Sequence, residues 1–121
     1  MDVVVRRAGE ITVVEVSGKI LGGPESDVLR EALDAVFEQG CSKLLIDLER
    51  VPWMNSAGLG ILLAAYSRMR DRAGVMRFCG AGERVRGILR TTKLLTVLES
   101  FADERSGIQS FAGGGIGESG A

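Results

Sequence analysis

Leu44-Leu45-Ile46-Asp47-Leu48, then Arg50-Val51-Pro52-Trp53-Met54, Asn55-Ser56-Ala57-Gly58-Leu59-Gly60 and Ile61-Leu62-Leu63-Ala64-Ala65-Tyr66 change period once, and that change decides the fold. The first apolar run is short and continuous, as in a buried strand. After the loop, Leu59, Leu62, Leu63, Tyr66 and Met69 recur at helical spacing. Asn55 and Ser56 are both favoured N-cap types, and either can satisfy orphan N–H groups of the helix. A serine at a helix start lies beside the positive end of the helix dipole, where a phosphate would change the electrostatics sharply. Gly58 and Gly60 each lower helix propensity by up to ~1 kcal/mol relative to alanine. Their lack of side chains keeps the surface around Ser56 flat and open to close approach of another protein.

Outward from this stretch, strands and helices alternate. Val3 to Arg7 and Ile11 to Val16 are rich in β-branched residues around the turn Ala8-Gly9-Glu10, which predicts a hairpin. Gly18-Lys19-Ile20-Leu21-Gly22-Gly23 is a glycine-punctuated loop, and Pro24 suits the first turn of a helix. Val28, Leu29, Ala32, Leu33, Val36 and Phe37 make one apolar helix face, ended by Gly40. Val75 to Cys79 predicts a strand, Gly80-Ala81-Gly82 a turn and Glu83 to Thr91 a third helix. Leu95 to Leu98 predicts a final short strand and Asp103 to Phe111 a last helix. The expected class is α/β: a mixed sheet, mostly parallel with an antiparallel edge strand, packed with about four helices. Residues 1–111 form the domain, and the glycine-rich residues 112–121 are expected to be a disordered tail.

Composition narrows the function. The 121 residues are 45% hydrophobic with a net charge of −1, enough apolar content for a core and no global pull toward nucleic acid or anionic membrane. No apolar run approaches the ~20 residues that span a bilayer, and Met1 to Arg7 lacks the layout of a signal peptide, so a cytoplasmic location without membrane insertion is expected. Cys41 and Cys79 have neither redox nor metal-ligand spacing and read as reduced core thiols. There is no histidine, which removes the Ser-His-Asp triad and histidine-containing zinc sites. Arg68, Arg70, Arg72, Arg77, Arg84, Arg86, Arg90 and Lys93 crowd the second half of the domain. They make a solvated surface or a docking face for an acidic partner; without interleaved aromatics they do not suggest direct nucleic-acid binding.

Two motifs are decoys. Gly115-Ile116-Gly117-Glu118-Ser119-Gly120 matches the dinucleotide fingerprint in letters, but the chain ends one residue later instead of opening a helix. Met54-Asn55-Ser56-Ala57-Gly58 has the layout of a nucleophile elbow, yet methionine stands where the first glycine belongs and no histidine can activate Ser56. Lys19, Lys43 and Lys93 bear no motif relation to it. No catalytic, cofactor-binding or metal-binding residues are expected, and the chain is not expected to be an enzyme.

Leu44 to Leu48 followed by Met54-Asn55-Ser56-Ala57-Gly58-Leu59-Gly60 resembles the signature of the STAS domain, and more narrowly that of bacterial anti-sigma factor antagonists. Their strand–loop–helix carries Asp-Ser-Ser/Ala-Gly-Leu-Gly. The resemblance extends over roughly Val3 to Phe111: Val13 to Gly18, Gly74 to Cys79 and Leu94 to Phe101 match flanking segments in order. It implies the STAS fold and a phosphoswitch. Ser56 would be the phosphoacceptor for a partner that is both serine protein kinase and anti-sigma factor. The unmodified form binds that partner and frees the sigma factor for transcription, and a serine phosphatase restores it. Asn55, Ala57, Gly58, Leu59 and Gly60, with Gly18, Lys19 and Ile20, would form the partner-binding surface. That surface runs on to Leu63, flanked by the Gly18–Gly23 loop and the Gly80–Arg84 turn. A second copy of the chain is a further candidate partner. One departure stands out: the family usually has aspartate where this chain has Asn55, which removes a negative charge beside the acceptor hydroxyl. The alternative is an unphosphorylated STAS scaffold or an accessory subunit of a signalling assembly or membrane transport complex.

Overall fold

The computed structural model describes residues 1–92 and 100–114. Strands β1 (Asp2–Ala8) and β2 (Ile11–Ser17) form the expected antiparallel hairpin, with Gly9 at φ +66° in its turn. A single 3-10 turn, Pro24–Ser26, leads into α1 (Asp27–Glu38), so Pro24 sets the turn before the helix and not the helix itself. Then follow β3 (Lys43–Arg50), α2 (Ser56–Asp71), β4 (Val75–Cys79), α3 (Glu83–Thr91), β5 (Ser100–Phe101) and α4 (Glu104–Gly114). The expected strand at Leu95 to Leu98 lies outside the described residues, as does the expected tail from residue 115. Helix α4 continues to Gly114, three residues beyond the expected domain edge at Phe111.

Among the described residues the strands lie in sequence order in one sheet, β1-β2-β3-β4-β5, with only the β1–β2 pair antiparallel. A sheet that grows in one direction through right-handed crossovers sends every crossover helix to the same face. Accordingly α1, α2 and α3 share one core with alternate residues of the strands: Leu29, Leu33 and Phe37, Leu59, Leu62 and Met69, and Val85 and Leu89 pack with Val14, Leu44, Ile46, Leu48 and Phe78. The opposite face carries a smaller cluster, in which Phe111 of α4 meets Ile11, Val13, Leu45 and Cys79. Both faces of β3 are therefore covered, as its continuous apolar run requires. Val28, expected on the apolar face of α1, is instead 47% exposed, because Leu29, Leu33, Val36 and Phe37 already fill the stripe that meets the sheet.

The arginines do not converge on one face. Arg68 lies 4.2 Å from the Phe37 ring centroid and pairs with Asp34 on the α1 side. Arg77 stacks instead near Phe111 of α4, 4.9 Å from its centroid. Their aliphatic stems cover aromatic edges on both sides of the sheet.

Among the described residues Asp47 is the one charged side chain in the core, 4% exposed on the α4 face of β3. It accepts the Glu49 N–H at 2.9 Å and shares a hydrogen bond with Glu104 of α4. Burial pushes the Asp47 carboxyl up, and the hydrogen bond and charge of Glu104 push it further. Glu104 is held down by Arg6, which grips it through two contacts of 2.6 and 2.7 Å. The Asp47–Glu104 hydrogen bond and the Arg6 grip on Glu104 tie β1, β3 and α4 together across the sheet. Burial, and then the charge of Asp47, push the neighbouring Cys79 up to about 12, so its thiol stays neutral and unreactive.

Candidate functional site

Two loops leave the C-terminal ends of neighbouring parallel strands and run side by side. After β2, the Gly18 N–H donates to the Arg50 carbonyl at 3.0 Å and the Ile20 N–H to the Trp53 carbonyl at 3.2 Å. The Ile20 carbonyl in turn accepts the Asn55 N–H at 3.3 Å, and Ile20 and Met54 form a parallel bridge. The glycine loop is thus a continuation of the sheet that carries the α2 N-terminus.

Two glycines let the loop and helix meet. A Cβ on Gly58 would collide with the Ile20 carbonyl group, its carbon only 2.5 Å away. Gly22, at φ +82°, is equally close to α2: a Cβ there would stand 2.8 Å from the Ala57 carbonyl carbon. The loop is braced from behind by α1. Arg30 donates to the Gly22 carbonyl at 2.6 Å and to that of Gly23 at 3.3 Å, while the buried Ser26 hydroxyl accepts the Gly22 N–H at 3.3 Å.

Asn55 settles which residue caps α2. Its backbone is extended and its side-chain oxygen accepts the Gly58 N–H at 2.8 Å, while its carbonyl accepts the Leu59 N–H at 2.9 Å. Ser56 is then the first helical residue, exposed, and its hydroxyl has no hydrogen-bond partner among the described residues. The cap and the free hydroxyl are therefore different residues. Asn55→Ala should cost about 1 kcal/mol of stability in urea or thermal unfolding. Asn55→Asp keeps the cap and should add ~0.5 kcal/mol through the helix dipole; a loss for Asn55→Asp as large as for Asn55→Ala would refute the capping role.

The residues expected to form the partner surface divide into two sets. Lys19, Ser56, Ala57 and Gly60 are exposed, Gly18 and Asn55 are partly so, and Gly60 has open space where a side chain would stand. Ile20, Gly58 and Leu59 are buried. Ile20 and Gly58 meet where the loop lies against the helix, and Leu59 packs into the core. Sequence reading missed Arg30 and Trp53. In the sequence Arg30 stands among Glu25, Asp27, Glu31 and Asp34, and nothing local shows that it reaches the loop carbonyls. Trp53 lines a shallow depression of about 380 Å³ with Arg84, Gly87, Ile88, Thr91 and Thr92. It brings Arg84, from the turn expected to flank the site, next to the loop that carries Ser56. Among the described residues no cluster of histidine, cysteine, aspartate or glutamate could hold a metal ion, and no helix is long and apolar enough to cross a membrane.

The STAS domain family model matches residues 2–107. The chain belongs to the STAS domain family. This STAS domain is 30% identical over 108 residues to the anti-sigma-B factor antagonist of Bacillus subtilis strain 168, a match covering 89% of each chain. Among solved structures it is similar to an anti-sigma factor antagonist from Mycobacterium paratuberculosis, with a TM-score of 0.82 at 25% identity over 93% of this chain and 94% of that one. It also resembles the Bacillus cell fate determinant SpoIIAA in its phosphorylated form, with a TM-score of 0.72 at 18% identity over 91% of this chain and 99% of that one. At that identity the likeness is one of fold. The mixed five-stranded sheet with four helices is the STAS fold that the sequence resemblance implied.

Proposed function

We propose that this STAS domain is a cytoplasmic anti-sigma factor antagonist, switched by phosphorylation of Ser56, that acts by binding and not by turnover. In its unmodified form it docks a kinase-type anti-sigma factor on the surface formed by Ser56, Ala57, Gly60, Leu63 and the Gly18–Gly23 loop. The partner then phosphorylates Ser56 and is expelled, and a serine phosphatase resets the domain. The observation that carries this reading is the free, exposed Ser56 hydroxyl at the first position of α2, with the cap supplied by Asn55. A phosphate there adds roughly −1.5 to −2 charges. The fold tolerates them, because the helix dipole and the N–H groups of Ser56 and Ala57 favour an anion at this terminus. A docked interface does not, because the same charge must be desolvated or must meet repulsion. The names of similar proteins, anti-sigma-B factor antagonist and anti-sigma F factor antagonist, support the same role.

Asn55 favours a second reading, an unswitched scaffold or transport-complex subunit, since the family aspartate beside the acceptor is absent. The test separates the two. Incubation with ATP and the cognate kinase, followed by mass spectrometry, should place one phosphate on Ser56 and none on Ser56→Ala. Phosphate on another residue, or none from a kinase shown to be active, rejects the switch.

A further inference from the structure

Strand β1 is an outer edge of the sheet, and among the described residues nothing pairs with its free side. Natural edge strands are blunted by charges, prolines or bulges, because an open row of N–H and C=O groups invites another strand. Here the charges sit only at the ends, Asp2 at one and Arg6 and Arg7 at the other, while the middle exposes Val4 (52%) and Val5 (45%). From these features we infer that β1 pairs antiparallel with β1 of a second copy, giving a two-fold symmetric dimer with one continuous sheet.

The side-chain pattern selects a single register. Val3 and Val5 lie opposite Val16 and Val14 of β2 and so belong to the face covered by α1, whereas Val4 and Arg6 lie opposite Glu15 and Val13 on the α4 face. A two-fold axis perpendicular to the sheet preserves faces, so a residue can oppose only another of the same face. With the axis at Val4, Val4 meets Val4 of the second copy, Val3 meets Val5, and Asp2 meets Arg6. Every exposed valine is then covered by a valine, and each end gains an opposite-charge pair. With the axis at Val5, Val3 and Val4 would oppose Arg7 and Arg6, and Asp2 would oppose Ala8, which leaves the valines against cations. The charge on β1 is therefore complementary to itself in one register. Arg6 is already paired with Glu104 and Glu15, so the end pair with Asp2 extends an existing charge network. The pairing uses no residue of the Ser56 surface and does not depend on the switch.

Sedimentation velocity of the full chain should show a dimer, and Val4→Lys should return a monomer that still melts cooperatively, since two cations would then face each other across the axis. Cross-linking tests the register independently of that variant. In a Cys41→Ser background, Val4→Cys treated with diamide should give a disulfide-linked dimer on a non-reducing gel, because directly opposed residues of an antiparallel pair meet disulfide geometry. Val5→Cys should remain monomeric on the gel. A monomeric wild type at every concentration up to that of an NMR sample, a dimeric Val4→Lys, or cross-linking through Val5→Cys and not Val4→Cys, overturns the inference.

Discussion

Ser56→Asp should lose about two orders of magnitude in affinity for the anti-sigma partner, ~3 kcal/mol, while its melting temperature holds or rises slightly. The two effects come from the same charge in two environments. In the free domain the side chain stands exposed at the first position of α2, where an acidic group is favoured by ~0.5 kcal/mol. In the complex it is taken out of water against a partner shaped to a neutral serine, and like-charge or unpaired contacts cost several kcal/mol. Ser56→Ala should bind as the wild type does, because the hydroxyl makes no contact within the domain and neutrality is what docking needs. Isothermal titration calorimetry with all three proteins, alongside circular dichroism melts, separates charge from shape. Unchanged affinity of a folded Ser56→Asp would reject the charge mechanism outright.

The second large effect concerns two glycines on one turn of α2. Helix propensity alone would make Gly58→Ala and Gly60→Ala each favourable by about 1 kcal/mol. Gly60 has open space where the methyl would go, so Gly60→Ala should gain stability close to that amount. Gly58 faces the Ile20 carbonyl, which also receives the Asn55 N–H, so a methyl there must push the glycine loop off the helix. Gly58→Ala should therefore lose about 2 kcal/mol despite its better propensity, lowering the melting temperature by roughly 8 °C. Binding inverts part of this order. Gly60→Ala crowds the open surface next to Ser56 and should weaken docking while stabilising the domain. Matched stability changes at the two positions would show that the Gly58–Ile20 contact does not matter.

The same pair shows where sequence reading stops. Both glycines were legible as residues that keep the Ser56 surface open, and for Gly60 the structure agrees. For Gly58 the missing side chain serves the interior, because a loop thirty-eight residues earlier in the chain lies against it. Local pattern cannot report a neighbour so distant. Arg30 and Trp53 escaped for that reason too, since each acts on a segment that only the packing of α1 and α3 brings near. Val28 illustrates the converse, a residue with the right helical spacing that falls outside the stripe the sheet can cover.

The sequence by itself determined the alternation of strands and helices, the edge hairpin, the break at Asn55-Ser56 and the family to which they belong. Those features depend on side-chain periodicity and on the capping and turn chemistry of a few adjacent residues, all local properties of the chain. Tertiary structure decided which expected site residues face outward and which lie beneath, the braces on the glycine loop, and the contact between Asp47 and Glu104. Each of these depends on distances between residues far apart in sequence. Those distances are set by the common side on which three crossover helices pack, leaving β1 as an edge and α2 with its first residue open to a partner.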